Sequence, residues 1–282
     1  MSNVVISIYV VTFNRAHLLA RCIESIVNQI NAPSFEVIIV DNGSTDGTAK
    51  LLNEMASSND NLSFVLLGEN KGACYARNVA IKQAKGKFVT GSDDDDVWHL
   101  GRLKSLHDAY DDKLAFTYGD DCFVLGNEKF KKNVKPNAIT IGMMKYQNEV
   151  GNQVFTTKEK FLGAGLFDEY LVAAQDYDMW FRLLLKYGVS KKAINAVQYI
   201  YLDGNARITA SNKKRYGYFD FYMKHRSHMS RNQRKHQLLT IKYICNSSIT
   251  ALMFNRLFSF NMMKRKSKIF LSRVIFSGKY GF

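Results

Sequence analysis

Four consecutive aspartates, Asp93-Asp94-Asp95-Asp96, carry the strongest chemical signal in the chain. Adjacent carboxylates repel one another unless a cation or hydrogen bonds compensate. Their oxygens suit hard divalent cations such as Mn2+ or Mg2+, which are held by one or two protein carboxylates together with substrate phosphates. The alternative is a solvated acidic turn that favours the N-terminus of a following helix. Position weighs against that alternative: the run directly follows Lys87–Thr90, a short strand, and α/β sheets bind ligands at the carboxyl ends of their strands. Asp41 ends a second apolar run, Phe35–Val40. It reads either as a turn residue ahead of Asn42–Gly47 or as a carboxylate accepting hydrogen bonds from a base or ribose. Arg77 is either a surface cation or a bidentate partner for phosphate or carboxylate. Gly72, just upstream, permits close backbone approach. Asp176 opens a helix beginning Gln175-Asp176-Tyr177-Asp178. It either caps that helix or, facing the cleft within reach of an acceptor hydroxyl, serves as a general base. Asp178 and Arg182 are four apart and pair on one helix face.

These residues need a scaffold that brings strand ends together. Val4–Val11, Phe35–Val40, Leu62–Leu67 and Lys87–Thr90 are short apolar runs of buried-strand length. Between them, Leu18, Leu19, Cys22, Ile23, Ile26 and Val27 recur at helical spacing. Leu51, Leu52 and Met55 mark a second helix, with Ser44 or Thr45 as its expected cap, and Ala73–Ala84 a third. Repeated βα units predict a mostly parallel sheet with helices on both faces, and the loops after Val11, Val40 and Thr90 converge on one cleft. From Leu114 to Tyr201 the pattern is mixed, with strands at Ala115–Tyr118 and Val197–Tyr201 and a helix at Asp176–Tyr187. Beyond Asn205 it turns helical and basic.

Composition bounds the function. The chain has 282 residues, 46% hydrophobic and 23% charged, with two prolines, which excludes a disordered or collagen-like chain and a long Pro-rich linker. No apolar stretch reaches the roughly 18 residues of a membrane span. Val4–Val11 lacks the basic flank and cleavage site of a signal peptide, so it reads as a buried strand. Cys22, Cys74, Cys122 and Cys245 form no CxxC pair, which argues against a zinc ribbon or disulfide framework and fits a reducing cytoplasm. Neither a P-loop nor a GxGxxG motif is present. The net charge of +14 is concentrated: residues 205–282 hold 17 Lys/Arg against one acid, Asp220, whereas the rest holds 22 basic and 24 acidic side chains. Such asymmetry points to a polyanionic partner, and basic amphipathic helices lie on anionic bilayers; a merely solvated basic face is the alternative. His225, His228 and His236 read as part of that solvated face.

In order and spacing, five motifs resemble family 2 glycosyltransferases of the GT-A fold: Val11-Thr12-Phe13-Asn14-Arg15, Val40 to Asp46, Asn70 to Asn78, Asp93 to Trp98, and Gln175 to Trp180. The resemblance covers about residues 1–205. It implies an inverting transferase that uses a nucleotide-diphosphate sugar, with UDP favoured, and Mn2+ or Mg2+. Carried over by position, it assigns Thr12, Phe13, Asn14, Arg15, Asp41, Asn42, Gly72, Arg77, Asp93 and Asp94 to the donor. Asp93 and Asp95 match the metal carboxylates, with Asp95 favoured, and Asp176 matches the base. Val11 stands where proline is common, and Gln175 where glutamate is.

Val150–Phe155, Arg207-Ile208-Thr209 and the basic tail are further similar to transferases of bacterial O-antigen assembly, which add a hexose to an N-acetylhexosamine linked through diphosphate to undecaprenol. That similarity implies glucose or galactose transferred with β1→3 linkage, and an acceptor side made by Asn152, Gln153, Trp180 and Arg207. It also implies peripheral residence on the cytoplasmic face of the inner membrane, without a nucleic-acid partner. The expected organisation is a transferase domain over 1–205, with a donor half (1–98) and an acceptor half (99–205), then a basic helical membrane-associating region over 206–282. Other readings remain. A different surface polysaccharide or capsule acceptor is one, and a non-catalytic sugar-binding module another. A nucleic-acid-binding protein would leave the acidic motifs unexplained. A nucleotidyltransferase would need a glycine-rich loop where Thr12-Phe13-Asn14-Arg15 stands.

Overall fold

The computed structural model describes residues 4–126, 128–202 and 213–245. The chain divides into two compact units, Met1–His228 and Met229–Phe282. The first is built on a seven-stranded sheet in the order β10-β6-β9-β4-β1-β2-β3, with β1 at Ile6–Thr12, β2 at Phe35–Asp41, β3 at Leu62–Leu66, β4 at Phe88–Asp93, β6 at Thr117–Tyr118, β9 at Phe155–Thr157 and β10 at Lys191–Lys192. β1 pairs in parallel with β2 and β4, as do β2 with β3 and β6 with β10. Only β9 runs against its neighbours, antiparallel to both β4 and β6. The sheet is thus mostly parallel, as the alternating strand and helix signals predict.

Strand periodicity assigns the two faces. Ile6, Ile8 and Val10 point one way, into a core with Val37 and Ile39. There they meet Leu19, Cys22, Ile23 and Ile26 of α1 (Ala16–Val27) and Leu52 of α2 (Thr48–Ser58). Each such buried aliphatic side chain contributes about 1.5–3 kcal/mol. Tyr9 points the other way, edge-on to Phe161 of α6 (Lys158–Gly163) and to Phe167. α3 (Ala73–Gln83) lies along β1 and β2, and α7 (Gln175–Tyr187) packs Trp180 against Phe161 and Phe167. α4 (Arg102–Asp108) and α5 (Ile141–Met144) complete the middle of the chain, and α8 (Lys213–His225) packs on α7. The second unit contributes α9 (Arg231–Cys245). Among the described residues no helix is long and apolar enough to cross a membrane.

Three local expectations change. A second sheet, in the order β5-β11-β7-β8, is formed by β5 (Asp96–Trp98), β11 (Gln198–Tyr201), β7 (Asp121–Leu125) and β8 (Glu128–Asn133). It puts Asp96-Val97-Trp98 in a short strand ahead of α4. Its β7–β8 hairpin turns at Gly126, whose φ of 58° suits glycine. The cap position of α2 is Gly47 with φ 88°, not Ser44 or Thr45, because both of those are turned toward Asn14. His225 is buried against Phe181 and Phe221 instead of lying on a solvated face, and its Nε2 bonds Asp178.

Candidate active site

The sheet register brings the strand ends together. Thr12 sits opposite Asp41 and Val11 opposite Asp93, so the loops after β1, β2 and β4 share one edge. Thr12 Oγ1 donates to Asp94 Oδ2 at 2.8 Å. Arg15 Nη1 spans Asp94 Oδ1 at 3.0 Å and Asp95 Oδ2 at 3.3 Å. Burial pushes Asp94 up to about 6, although Arg15 and Thr12 pull against it. Asp41 is buried and accepts from the Ser44 amide at 3.0 Å. Asn14, in the left-handed region at φ 53°, donates its amide to Ser44 Oγ and accepts from the Thr45 amide, so the β1 and β2 loops interlock. Phe13, which follows Thr12, leaves 40% of its surface exposed. Asn42 bonds the Lys71 amide and Asn70 Oδ1, tying this edge to the turn where Gly72 takes φ 88° ahead of α3. Gly43 is required there: at φ 85°, a Cβ would stand 2.5 Å from the Glu69 carbonyl carbon.

One guanidinium joins this edge to α7. Arg77 Nη2 lies 3.4 Å from Asp93 Oδ1, and its Nη1 donates to Gln175 Oε1 at 3.0 Å and lies 3.5 Å from Asp176 Oδ1. Asp176 is the second residue of α7, whose cap position is Ala174 at φ 57° with no side-chain cap, so Asp176 does no capping. Its Oδ1 is buried without a hydrogen-bond partner, while a quarter of the side chain remains exposed. Burial pushes Asp176 up to about 7; Arg77 pulls it down and Asp93 pushes it further up. A carboxylate with one oxygen free of hydrogen bonds and pushed up toward neutrality suits a general base.

Asp93, expected as a second metal ligand, has both oxygens occupied. Oδ1 accepts from Arg77 and from Gln153 Nε2 at 3.1 Å, and Oδ2 accepts from Asn152 Nδ2 at 3.0 Å. Asn152 and Gln153, expected on the acceptor side, therefore brace the acidic loop. They reach it because β9 runs antiparallel to β4, which lays the entry to β9 beside the exit of β4. Arg15 touches only one oxygen of Asp95, and about a fifth of that side chain is exposed. Among the described residues no three His, Cys, Asp or Glu side chains converge to hold a metal ion. Asp95 nonetheless fits the pattern of one or two carboxylates completed by ligand phosphates.

Trp180 corrects another expectation. It is wholly buried among Phe116, Phe161 and Phe167, and its Nε1 donates to the Gly151 carbonyl at 3.0 Å, so it holds the 148–153 loop from behind instead of facing an acceptor. Arg207 lies outside the described residues. Residue-level reading also missed three contributors. Tyr9 donates to Gln153 Oε1 at 3.0 Å, Gln175 orients Arg77, and Asn78 pins the chain before α7 through Phe167 and Glu169. Asn78 follows Arg77 inside a motif, a signal that was available; Tyr9 sits in an apolar strand and gave none.

The geometry has sequence counterparts. Residues 7–163 match the family described as Glycosyl transferase family 2. The chain is 37% identical over 258 residues to Escherichia coli K12 WcaA, named as a colanic acid biosynthesis glycosyl transferase, a match covering 88% of this chain and 91% of that one. It is 28% identical over 196 residues to Escherichia coli WfgD, a UDP-Glc:α-D-GlcNAc-diphosphoundecaprenol β-1,3-glucosyltransferase, covering 69% and 75%. The crystal structure of Staphylococcus aureus TarS in complex with UDP-GlcNAc superposes with a TM-score of 0.63 at 20% identity, covering 88% of this chain and 83% of that one. A family match over more than half of the chain, on a sheet whose strand ends gather these carboxylates, makes this chain a member of glycosyltransferase family 2 with the GT-A fold.

Proposed function

We propose that this glycosyltransferase moves a hexose, glucose or galactose, from a UDP-sugar to the N-acetylhexosamine of an acceptor linked through diphosphate to undecaprenol, with inversion and β1→3 linkage, as a step in O-antigen assembly. The observation that carries the reading is Arg77 standing between Asp93 and Asp176, which sets a carboxylate oxygen without a hydrogen bond beside the acidic strand end. Asp176 accepts the proton of the acceptor hydroxyl as that oxygen attacks the anomeric carbon. The new C–O bond forms on the face opposite the breaking bond to the diphosphate oxygen, so one displacement inverts the configuration. Thr12, Phe13, Asn14 and Asp41 hold the nucleoside, Asn42 and Gly72 shape the adjoining turn, and Arg15 and Arg77 offer positive charge to the diphosphate. A divalent cation, Mn2+ or Mg2+, held at Asp95 would supply charge neutralisation for the leaving diphosphate. The names of the relatives WcaA and WfgD support the pathway type and the lipid-linked acceptor class.

Purified protein incubated with a panel of UDP-sugars, Mn2+ and a synthetic GlcNAc-diphosphate-alkyl acceptor should release UDP and give a β-linked disaccharide by NMR, with UDP-glucose or UDP-galactose as donor. Release of pyrophosphate, or no transfer from any donor, would overturn the assignment. In Asp95→Ala the metal-dependent part of UDP binding should vanish from calorimetric titrations; an unchanged titration refutes the ligand role. The basic C-terminal region, including Arg231, Arg234, Lys235 and Lys242 of α9, is the proposed contact to the anionic inner-membrane surface, at roughly 1 kcal/mol per basic residue near the lipid. Co-sedimentation with liposomes should rise with anionic-lipid content, and indifference to lipid charge would remove that partner.

A further inference from the structure

The first turn of α7 carries Asp176 without a conventional cap, and its neighbouring residues are anchored instead. Gln175 accepts from Arg77 and donates through Nε2 to the Leu171 carbonyl at 2.8 Å. Tyr177 donates to the Met144 carbonyl, and its ring stacks on Phe221 of α8 with centroids 3.7 Å apart. Asp178 is wholly buried. Its Oδ2 accepts from Arg182 Nε and Nη2 at 2.9 and 2.8 Å. Its Oδ1 meets His225 Nε2 at 2.8 Å and Lys224 Nζ at 2.9 Å, both from α8. Lys224 also reaches Asp168 at 2.6 Å, in the segment that leads into α7. Burial alone would raise the Asp178 carboxyl, but His225, Arg182 and Lys224 together outweigh it and hold the group well below the usual carboxylate range. A carboxylate only accepts, so His225 donates through Nε2.

The Arg182 contact with Asp178 lies within one helix, at the spacing of an ordinary i,i+4 pair. The His225 contact adds a tie to a different helix, two positions from Asp176. Asp176 Oδ1 has no hydrogen bond, only the 3.5 Å ion pair to Arg77, so its aim depends on that guanidinium and on how the first turn of α7 is held. We propose that His225 is a positioning residue for transfer: by bonding Asp178 from α8, it fixes the first turn of α7 and with it the aim of the Asp176 carboxylate. This inference rests on reading Asp176 as the base.

The full chain carries the test. His225→Ala should lower kcat about 10- to 100-fold, the scale of a misplacement near 1 Å, while the KM for the UDP-sugar and the Kd for UDP stay unchanged. His225→Gln can place its amide nitrogen where Nε2 sits and should recover most of the lost kcat; His225→Asn, one bond shorter, should not. Adding His225→Ala to Asp176→Asn should cost nothing further, because an absent base cannot be misaimed. Wild-type kcat in both His225→Ala and His225→Asn overturns the proposal, as does a full additional loss on the Asp176→Asn background. Should His225→Ala fail to fold, the comparison of the Gln and Asn variants decides alone. Asp176→Asn retaining its own turnover would instead bring down the base assignment, and the positioning role with it.

Discussion

Asp176→Asn should lower kcat by about 10²- to 10⁴-fold, the range general-base removal commands, while UDP still binds on calorimetric titration. The asparagine keeps the shape and removes the proton acceptor, and the strand-end contacts of Thr12, Asp41 and Asp94 are untouched. The pH profile gives an independent check. With Asp176 held up to about 7 by burial, the unprotonated fraction falls tenfold for each pH unit below that value. The wild-type kcat/KM should therefore climb with pH and level off above neutrality. That limb belongs to the Asp93 and Asp176 pair joined by Arg77, not to one carboxylate alone. A profile that stays flat from about pH 5 to 8, where an ordinary aspartate is fully ionised, contradicts the assignment, as does an asparagine variant with most of its turnover intact.

Arg77→Met should produce the second largest loss. Methionine matches much of the volume but removes the cation, leaving Asp93 and Asp176 facing each other without it. Removing one partner of a fully buried pair costs about 3–5 kcal/mol of stability; the cost here is smaller, because both carboxylates are partly exposed. The sign of the pH effect is fixed. Arg77 pulls both carboxyls down, so its loss raises them, protonates the base at neutral pH and moves the acid limb to higher pH. Together with the loss of positive charge near the diphosphate, kcat/KM should fall about 10²- to 10³-fold. Arg77→Lys should recover stability but not activity, since an ammonium cannot serve Asp93, Gln175 and Asp176 together as the planar fork does. A limb that stays in place or shifts to lower pH would show that Arg77 does not govern the pair.

Much of this arrangement was legible before any coordinates. Apolar runs ending in Asp41 and the aspartate cluster, with helices between them, imply a parallel sheet and a shared edge, and the register of β1, β2 and β4 delivers it. Asp176 and Arg77 lie far apart in sequence, so their meeting could be inferred only from the resemblance, not from spacing. Of the second sheet only β11 was legible, as the strand at Val197–Tyr201; the others are short and polar-flanked, although Gly126 marked one of its turns. That Asn152 and Gln153 reach the acidic loop follows from the antiparallel entry of β9, which depends on chain topology, to which local patterning is blind, whereas Trp180 is buried on the core face of α7. His225 looked like one basic tail residue among many. Only the packing of α8 on α7 shows that it meets a buried carboxylate.

The flanks of β4 carry a practical lesson. Residues 88–90 pair with 155–157 on one side and with β1 on the other, so the segments before residue 98 and those after it share a continuous hydrogen-bonded sheet. There is no seam at residue 98 along which to part them. A chimera spliced there from two relatives would give β4 an ill-fitting neighbour and leave its outer amides bare, the hazard of any open strand edge. Any exchange in the loop leading into β9 would have to keep Gly151, Asn152 and Gln153, whose bonds to Trp180 and Asp93 tie that loop to the acidic strand end.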